Sequence, residues 1–306
     1  MLPAFEKVLS LLSSMHVEYD ATWPSRLGDE SEREQIRAML DGSIKEPFKE
    51  KQHQYVYRVE TSVGPAYLKR TTYQSVRSIL RHLLRRRCAH TSAGWEYLST
   101  RAVQACGLPV VQPLIFGEQS LFGLWPWRGF VLMRAVSGQE LADLLAPTGT
   151  PALRHEAFVA AGHYMGRLHG SGFFRPARFH DFLYQRTGDG RLDLMMIDLD
   201  FKSMLPIARP FDMRLALDAV AESGYLFLRA GRYSGAEIRH FFHGYKAGLN
   251  TSGQDFQARR FAVVVAGVAK RLAAHANDPK LRAMFPKTAP PLQRRRKGNA
   301  RPAAPA

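Results

Sequence analysis

The sequence predicts an α+β fold of two lobes, a small β-rich N-lobe followed by a mainly helical C-lobe. Three observations lead there. Short runs that alternate apolar and polar residues fill the stretch from Gln54 to Arg134, with a helical stretch inserted among them. From Pro151 onward apolar residues recur at helical spacing. Two short apolar runs, Phe182-Leu183-Tyr184 and Leu194-Met195-Met196-Ile197, interrupt that helical half and flank Thr187-Gly188-Asp189-Gly190, a strong hairpin-turn sequence. The expected division is a helical segment over 1–45, the N-lobe over 46–136, the C-lobe over 137–286 and a basic disordered tail over 287–306.

The elements follow in order. MLPAFEKVLSLLSSM holds Glu6 and Lys7 inside an apolar pattern, which reads as an amphipathic helix rather than a secretory signal. Gln54 to Lys69 reads as two strands around Val63-Gly64-Pro65. Val76, Ile79, Leu80, Leu83 and Leu84 place a helix in the Arg-rich stretch that ends at Arg87. A further helix runs from Trp95 to Ala105, stopped by Gly107 and Pro109. Strands are expected at Val110–Phe116 and Phe130–Arg134, and Trp125 and Trp127 fall in a surface loop between them. A Ser137-Gly138 turn then leads into a helix over Gln139–Leu145. Helices over Ala157–His169, Met213–Arg229, Gly235–Leu249 and Phe256–His275 complete the C-lobe.

Charge narrows the class of partner. The net charge is +16, and two short segments carry most of it. Lys69 to Arg87 holds seven Lys/Arg and no acid; Lys287 to the end holds six and no acid. That leaves +3 for the rest of the chain. Local excess of this kind suits a docking surface for something anionic, whether a polyanionic glycolipid, a membrane face or RNA. The basic segments form no interleaved aromatic–basic motif, which makes nucleic acid the least favoured of the three. Two cysteines, Cys88 and Cys106, suggest neither a disulfide framework nor a metal site, and a reducing cytoplasmic compartment follows. His240 and His243 have a metal-compatible spacing but no glutamate in a zincin-type order, while His163 and His169 suit packing or capping.

The chemistry concentrates between Arg167 and Lys202. Asp198 and Asp200 close the second run of the hairpin, at a strand end where carboxylates can hold a metal. Upstream stand Tyr67-Leu68-Lys69-Arg70, Gly94-Trp95-Glu96-Tyr97-Leu98 and Gly107-Leu108-Pro109-Val110-Val111-Gln112-Pro113 with Gly117-Glu118. Downstream come Leu168-His169-Gly170-Ser171-Gly172, Asp181-Phe182-Leu183 and Ile197-Asp198-Leu199-Asp200. In that order these pieces, spanning residues 55 to 205, resemble the bacterial lipopolysaccharide core kinase family. Its members share a protein-kinase-like fold and phosphorylate Kdo or heptose of the inner core.

The resemblance implies ATP and Mg²⁺. Lys69 and Glu96 would meet the nucleotide, the lysine as a point charge for phosphates and the glutamate as its holder. Asp198 would complete the nucleotide site and, with Asp181, hold the metal. Two departures stand out. The only glycine between Tyr55 and Lys69 is Gly64, so no glycine-rich phosphate loop is present. Aligning Asp181-Phe182-Leu183 with the second metal ligand and its strand puts Phe174-Arg175-Pro176 on the His-Arg-Asp triplet. Pro176 then occupies the place of the catalytic acid, and it has no side-chain acceptor to offer a hydroxyl. Arg178 falls where a cation often meets the transferred phosphate. Three readings stay open: His180 or Asp181 replaces the base, the chain is a nucleotide-binding pseudokinase that regulates envelope biosynthesis, or only the fold is shared. The expected partner is an anionic glycolipid, the lipopolysaccharide core, or the inner-membrane surface that bears it.

Overall fold

A computed structural model describes residues 13–19, 34, 38, 41, 49–51, 54–61, 63–72, 90–122, 125–145, 150–186, 188, 192–199, 209–230, 233–257 and 259–275. The Arg-rich stretch before Arg87 (apart from Lys69 and Arg70), Cys88, Asp200 and the basic tail lie outside these residues. The N-terminal lobe is one antiparallel sheet. Its strands are β1 (Ser13–Tyr19), β2 (Lys49–Lys51), β3 (Gln54–Thr61), β4 (Gly64–Thr72), β5 (Pro113–Leu121) and β6 (Trp125–Arg134), in the spatial order β1-β5-β6-β4-β3-β2. Helix α1 (Ser92–Ala105) lies on one face of it.

Alternation along β4 sets the two sides of this sheet. Ala66 and Leu68 point into a core with Tyr57, Leu114, Ile115, Phe130 and Leu132. Lys69 has the opposite parity and stands in register with Val131 of β6. Val131 belongs to the other core, where Ala93 and Tyr97 of α1 pack with Phe116 and Met133. The pleat alone therefore turns Lys69 toward α1.

The second lobe holds a three-stranded sheet in the order β7 (Gln139–Glu140), β8 (Phe182–Arg186), β9 (Leu192–Met196). Around it lie α2 (Leu141–Leu144), α3 (Pro151–Gly170), α4 (Met213–Ala230), α5 (Gly235–Thr251) and α6 (Arg259–Ala274). The helices start where capping chemistry allows. Thr150 accepts from the Leu153 amide with Pro151 in the first turn, Asp212 accepts from the Arg214 amide, and Ser234 and Glu237 cap each other's backbone. The segment after α1 ties the lobes together. Val111 donates to the Met196 carbonyl, the Met196 amide donates to Pro109, and the Tyr164 hydroxyl donates to the same Pro109 carbonyl.

Several expectations are corrected. Residues 13–19 form an edge strand on β5 rather than part of a helix, because His16 and Glu18 share one side of it while Val17 packs into the sheet core. The first strand after α1 begins at Pro113 rather than Val110 and runs on to Leu121. Trp125 and Trp127 belong to β6, not to a surface loop; Trp127 is fully buried, since both faces of this central strand are covered. The helix expected over Gln139–Leu145 is split, with Gln139 and Glu140 spent on pairing to β8.

α3 and α5 run side by side in the same direction at unusually close range. Gly162 and Gly166 on α3 face Gly244 and Gly248 on α5, each pair four residues apart. A Cβ at Gly166 would stand 2.3 Å from the Tyr245 carbonyl oxygen, and one at Gly244 would stand 2.0 Å from that of Val159. Backbone cannot yield as a flexible side chain can, so the seam admits only glycine. Gly166→Ala is expected to lose about 1–3 kcal/mol in urea unfolding. Helix propensity alone favours alanine by about 1 kcal/mol; a gain in stability would show that the two helices separate freely.

Candidate functional site

Lys69, Glu96 and Asp198 meet between the lobes. The Lys69 ammonium donates to Glu96 Oε1 and, at 3.0 Å, to Asp198 Oδ1. Burial by itself would lower the lysine pKa, but the two carboxylates outweigh it and hold the ammonium charged, above the ordinary lysine range.

Glu96 reaches this point because α1 is pinned at its start. Glu118, buried on β5, accepts from the Thr91 amide at 2.6 Å and the Thr91 hydroxyl at 2.8 Å. The Thr91 Oγ1 in turn accepts from the Gly94 amide and caps the helix. An anionic side chain at a helix start is favoured by the helix dipole, so burying Glu118 here is self-consistent. Gly129 lets the cap sit against β6, since a Cβ there would come within 2.6 Å of Thr91 Oγ1.

Asp198 follows β9 with a left-handed backbone, φ 58°. Aspartate tolerates that conformation better than most residues. The kink presents both ends of the residue at once: the carboxylate to Lys69 and the carbonyl oxygen to Arg175 Nη1 at 3.1 Å. Arg175 also donates through Nη2 to Asp181 Oδ2. Asp181 is nearly buried at the end of a single 3₁₀ turn (Phe179–Asp181), and its carbonyl accepts from Ile197 at 2.7 Å, which locks the two carboxylate-bearing segments together. Burial raises the Asp181 pKa; the Arg175 guanidinium opposes this and the Asp198 charge adds to it.

Arg175 is itself held from below. His169 is fully buried, with Nε2 2.8 Å from the Arg175 carbonyl oxygen and Nδ1 2.8 Å from the Tyr245 hydroxyl. A carbonyl can only accept, so the ring proton sits on Nε2 and Nδ1 accepts from Tyr245. The turn into this loop needs Gly172, φ +88°, where a Cβ would fall 1.9 Å from the Arg209 carbonyl oxygen.

Of the residues expected from sequence, Lys69, Glu96, Asp181 and Asp198 are thus brought into one charged cluster. Arg178 and His180 are exposed on its rim, and His180 Nδ1 lies 3.1 Å from Glu140 on β7. Pro176 is half-buried beside Arg175 and offers the site no polar side-chain atom. The His240 ring lies against another imidazole, its centroid 3.8 Å from that of His155. A cavity of about 620 Å³ against α3 and α5, lined by His155, His163, Arg167 and His243, shares no residue with the cluster.

Sequence reasoning missed the parts that Arg175, Glu118 and Glu140 play. Each was visible as a charged residue, but only distance in space shows which partner it serves. The donor set suits Mg²⁺: hard carboxylate oxygens, two of them on residues that repel each other, which is the share a protein gives when phosphates complete the shell.

The described fold and this cluster can be set beside known proteins. Residues 44–245 match the family model "Kdo: Lipopolysaccharide kinase (Kdo/WaaP) family". The chain matches no curated protein. Among solved structures it is similar to "WaaP in complex with acyl carrier protein", with TM-score 0.55 and 16% identity over 85% of this chain and 98% of that one. At that identity the likeness establishes the protein-kinase-like fold.

The buried imidazole gives a testable pH dependence. Burial, the largest effect, holds His169 near a pKa of about 4, below the value of 6.5 it has when exposed. The folded pKa is the lower one, so this stabilisation is complete above pH 6.5 and disappears as pH falls through 4. Between pH 7 and 5 the wild-type chain should lose about 2 kcal/mol that His169→Asn does not, measured by urea unfolding. Parallel losses in the two proteins would mean that the ring is not held neutral.

Proposed function

We propose that this chain, which belongs to the lipopolysaccharide kinase (Kdo/WaaP) family, transfers the γ-phosphoryl group of ATP to a sugar of the lipopolysaccharide inner core. The observation that carries the reading is Lys69 held between Glu96 on α1 and Asp198 after β9. A charged ammonium fixed at the cleft gives nucleotide phosphates a positioned partner, and phosphoryl transfer depends mainly on positioning and charge. Asp198 and Asp181 would hold Mg²⁺, which when bound neutralises charge on the phosphate oxygens. With the nucleotide in place, Lys69 would keep its Glu96 contact and offer its charge to a phosphate. Arg178, exposed on the rim, would meet the transferred group.

The missing acid at Pro176 leaves acceptor activation to another residue. Asp181 is committed to Arg175 and the Ile197 segment. His180 is the better candidate, since Glu140 orients its ring through Nδ1 and leaves Nε2 to accept the hydroxyl proton. Pro176 also supports a second reading, a pseudokinase that binds nucleotide without transfer. The division into lobes near residues 136–137 fits a cleft with nucleotide between β4 and β9. A cytoplasmic place at the inner membrane, with the basic segments toward anionic glycolipid, follows from the acceptor. Among the described residues no helix is long and apolar enough to cross a membrane.

Lys69→Ala and Asp198→Ala should each abolish ATP-dependent phosphorylation of purified core glycolipid; undiminished turnover would remove the kinase reading. His180→Ala should lower kcat by about 10²–10⁴ with little change in nucleotide KM. Full kcat in that variant would exclude His180 as the base. Saturable nucleotide binding with no transfer by wild type would favour the pseudokinase.

A further inference from the structure

Pro176 stands where an acid is expected, and the backbone on either side of it is pinned. Before it, the Arg175 carbonyl oxygen accepts from His169 Nε2 at 2.8 Å. After it, the Ala177 amide donates to Ser223 Oγ at 2.8 Å, and that hydroxyl donates in turn to the Ala219 carbonyl within α4. Ala177 and Ser223 are fully buried, so water cannot replace either partner. Side chains hold the same stretch: Phe174 is buried, and Phe179 stacks on Phe227 with ring centroids 4.4 Å apart. A proline between two pinned peptide groups fixes φ near about −65° and brings no N–H that needs a partner. An aspartate in its place would bring a freer φ and an amide to satisfy.

What this clamp aims is Arg175. Its guanidinium donates through Nη2 to Asp181 Oδ2 and through Nη1 to the Asp198 carbonyl oxygen at 3.1 Å. One planar fork thus spans the two segments that carry the carboxylates. The Arg175 and Asp181 side chains are only 13% and 10% exposed, so the pair escapes the screening that weakens surface ion pairs. A guanidinium beside two carboxylates could instead compete with a bound cation. The geometry favours positioning, because the second prong goes to the Asp198 backbone while the Asp198 carboxylate faces Lys69. A lysine carries the same charge but is a point donor and cannot reproduce the fork.

We propose that Arg175 is the positioning residue of the divalent-cation site. Its fork fixes the spacing of Asp181 and Asp198, and His169, Pro176 and Ser223 aim the fork. The proline is then a strut for the cation side of the cleft, whatever becomes of the base. This rests on the reading in which those two aspartates hold Mg²⁺, but it requires no phosphoryl transfer.

The test is Mn²⁺ binding by the full chain with a non-hydrolysable ATP analogue present, read from the electron paramagnetic resonance of the free ion. Arg175→Lys keeps the charge and loses the fork, and should weaken Mn²⁺ binding about 10–100-fold. Binding of the analogue in EDTA, which calls on Lys69 rather than the metal, should stay near wild type. Pro176→Ala leaves every side chain of the cluster in place and should shift Mn²⁺ affinity in the same direction by less. It carries the test if Arg175→Lys fails to fold. Wild-type Mn²⁺ affinity in Arg175→Lys, or in Pro176→Ala where the first variant is unfolded, would overturn the proposal. Tighter Mn²⁺ binding by Arg175→Lys would overturn it too, since the guanidinium would then be a competitor. So would a wild-type chain that binds the analogue but no Mn²⁺. Failure here leaves phosphoryl transfer to stand on its own assay, and failure of that assay leaves Mn²⁺ binding measurable.

Discussion

The contact on which the molecule's arrangement turns is a lysine ammonium shared between two carboxylates from different elements. Lys69 stands on β4, Glu96 on α1 and Asp198 beyond β9, so one cation joins the sheet, its helix and the opposite lobe. Burial without partners would lower the Lys69 pKa, and two carboxylates without the cation would repel each other. The same arrangement keeps a positive charge fixed where phosphate oxygens are expected, so structural need and chemical use coincide.

The positions of the two carboxylates depend on constraints that reach outward in opposite directions. On the upper side, Glu118 holds Thr91, Thr91 caps α1, and α1 carries Glu96 to Lys69. On the lower side, Asp198 leans on Arg175, Arg175 is held through its carbonyl by His169, and His169 is held by Tyr245 on α5. Tyr245 lies within the glycine seam that brings α3 and α5 together, so close helix packing is felt at the cleft. The imidazole must be neutral for this, because one nitrogen donates and the other accepts. By contrast Arg178 and His180 sit on the open rim, where side chains can follow a substrate.

Much of this was legible in the sequence, for identifiable reasons. Alternation placed β3 and β4, and turn chemistry placed the β8–β9 hairpin, because those signals are local. The order of Lys69, Glu96, Asp181 and Asp198 pointed to one cluster through the resemblance to the lipopolysaccharide core kinase family, with Lys69 on a strand, Glu96 on a helix and the two aspartates beside the hairpin strands. Residues 13–19 were misread because a strand that borrows its hydrogen bonds from distant β5 leaves little local trace. Trp127 was misread because a central strand covered on both faces loses its alternation. Arg175, Glu118 and Glu140 were seen as charges without roles, their partners lying 6, 27 and 40 residues away. The glycines of the α3–α5 seam read as weak helix positions until the facing backbone is known.

The most direct test of the central claim is a phosphorus NMR spectrum of inner-core glycolipid incubated with the wild-type chain, ATP and Mg²⁺. A cleft built around Lys69, Glu96 and Asp198 for phosphoryl transfer should produce a new monoester resonance on the acceptor sugar, with ADP rising in equal amount. Nucleotide bound at saturation with an unaltered acceptor spectrum would contradict it.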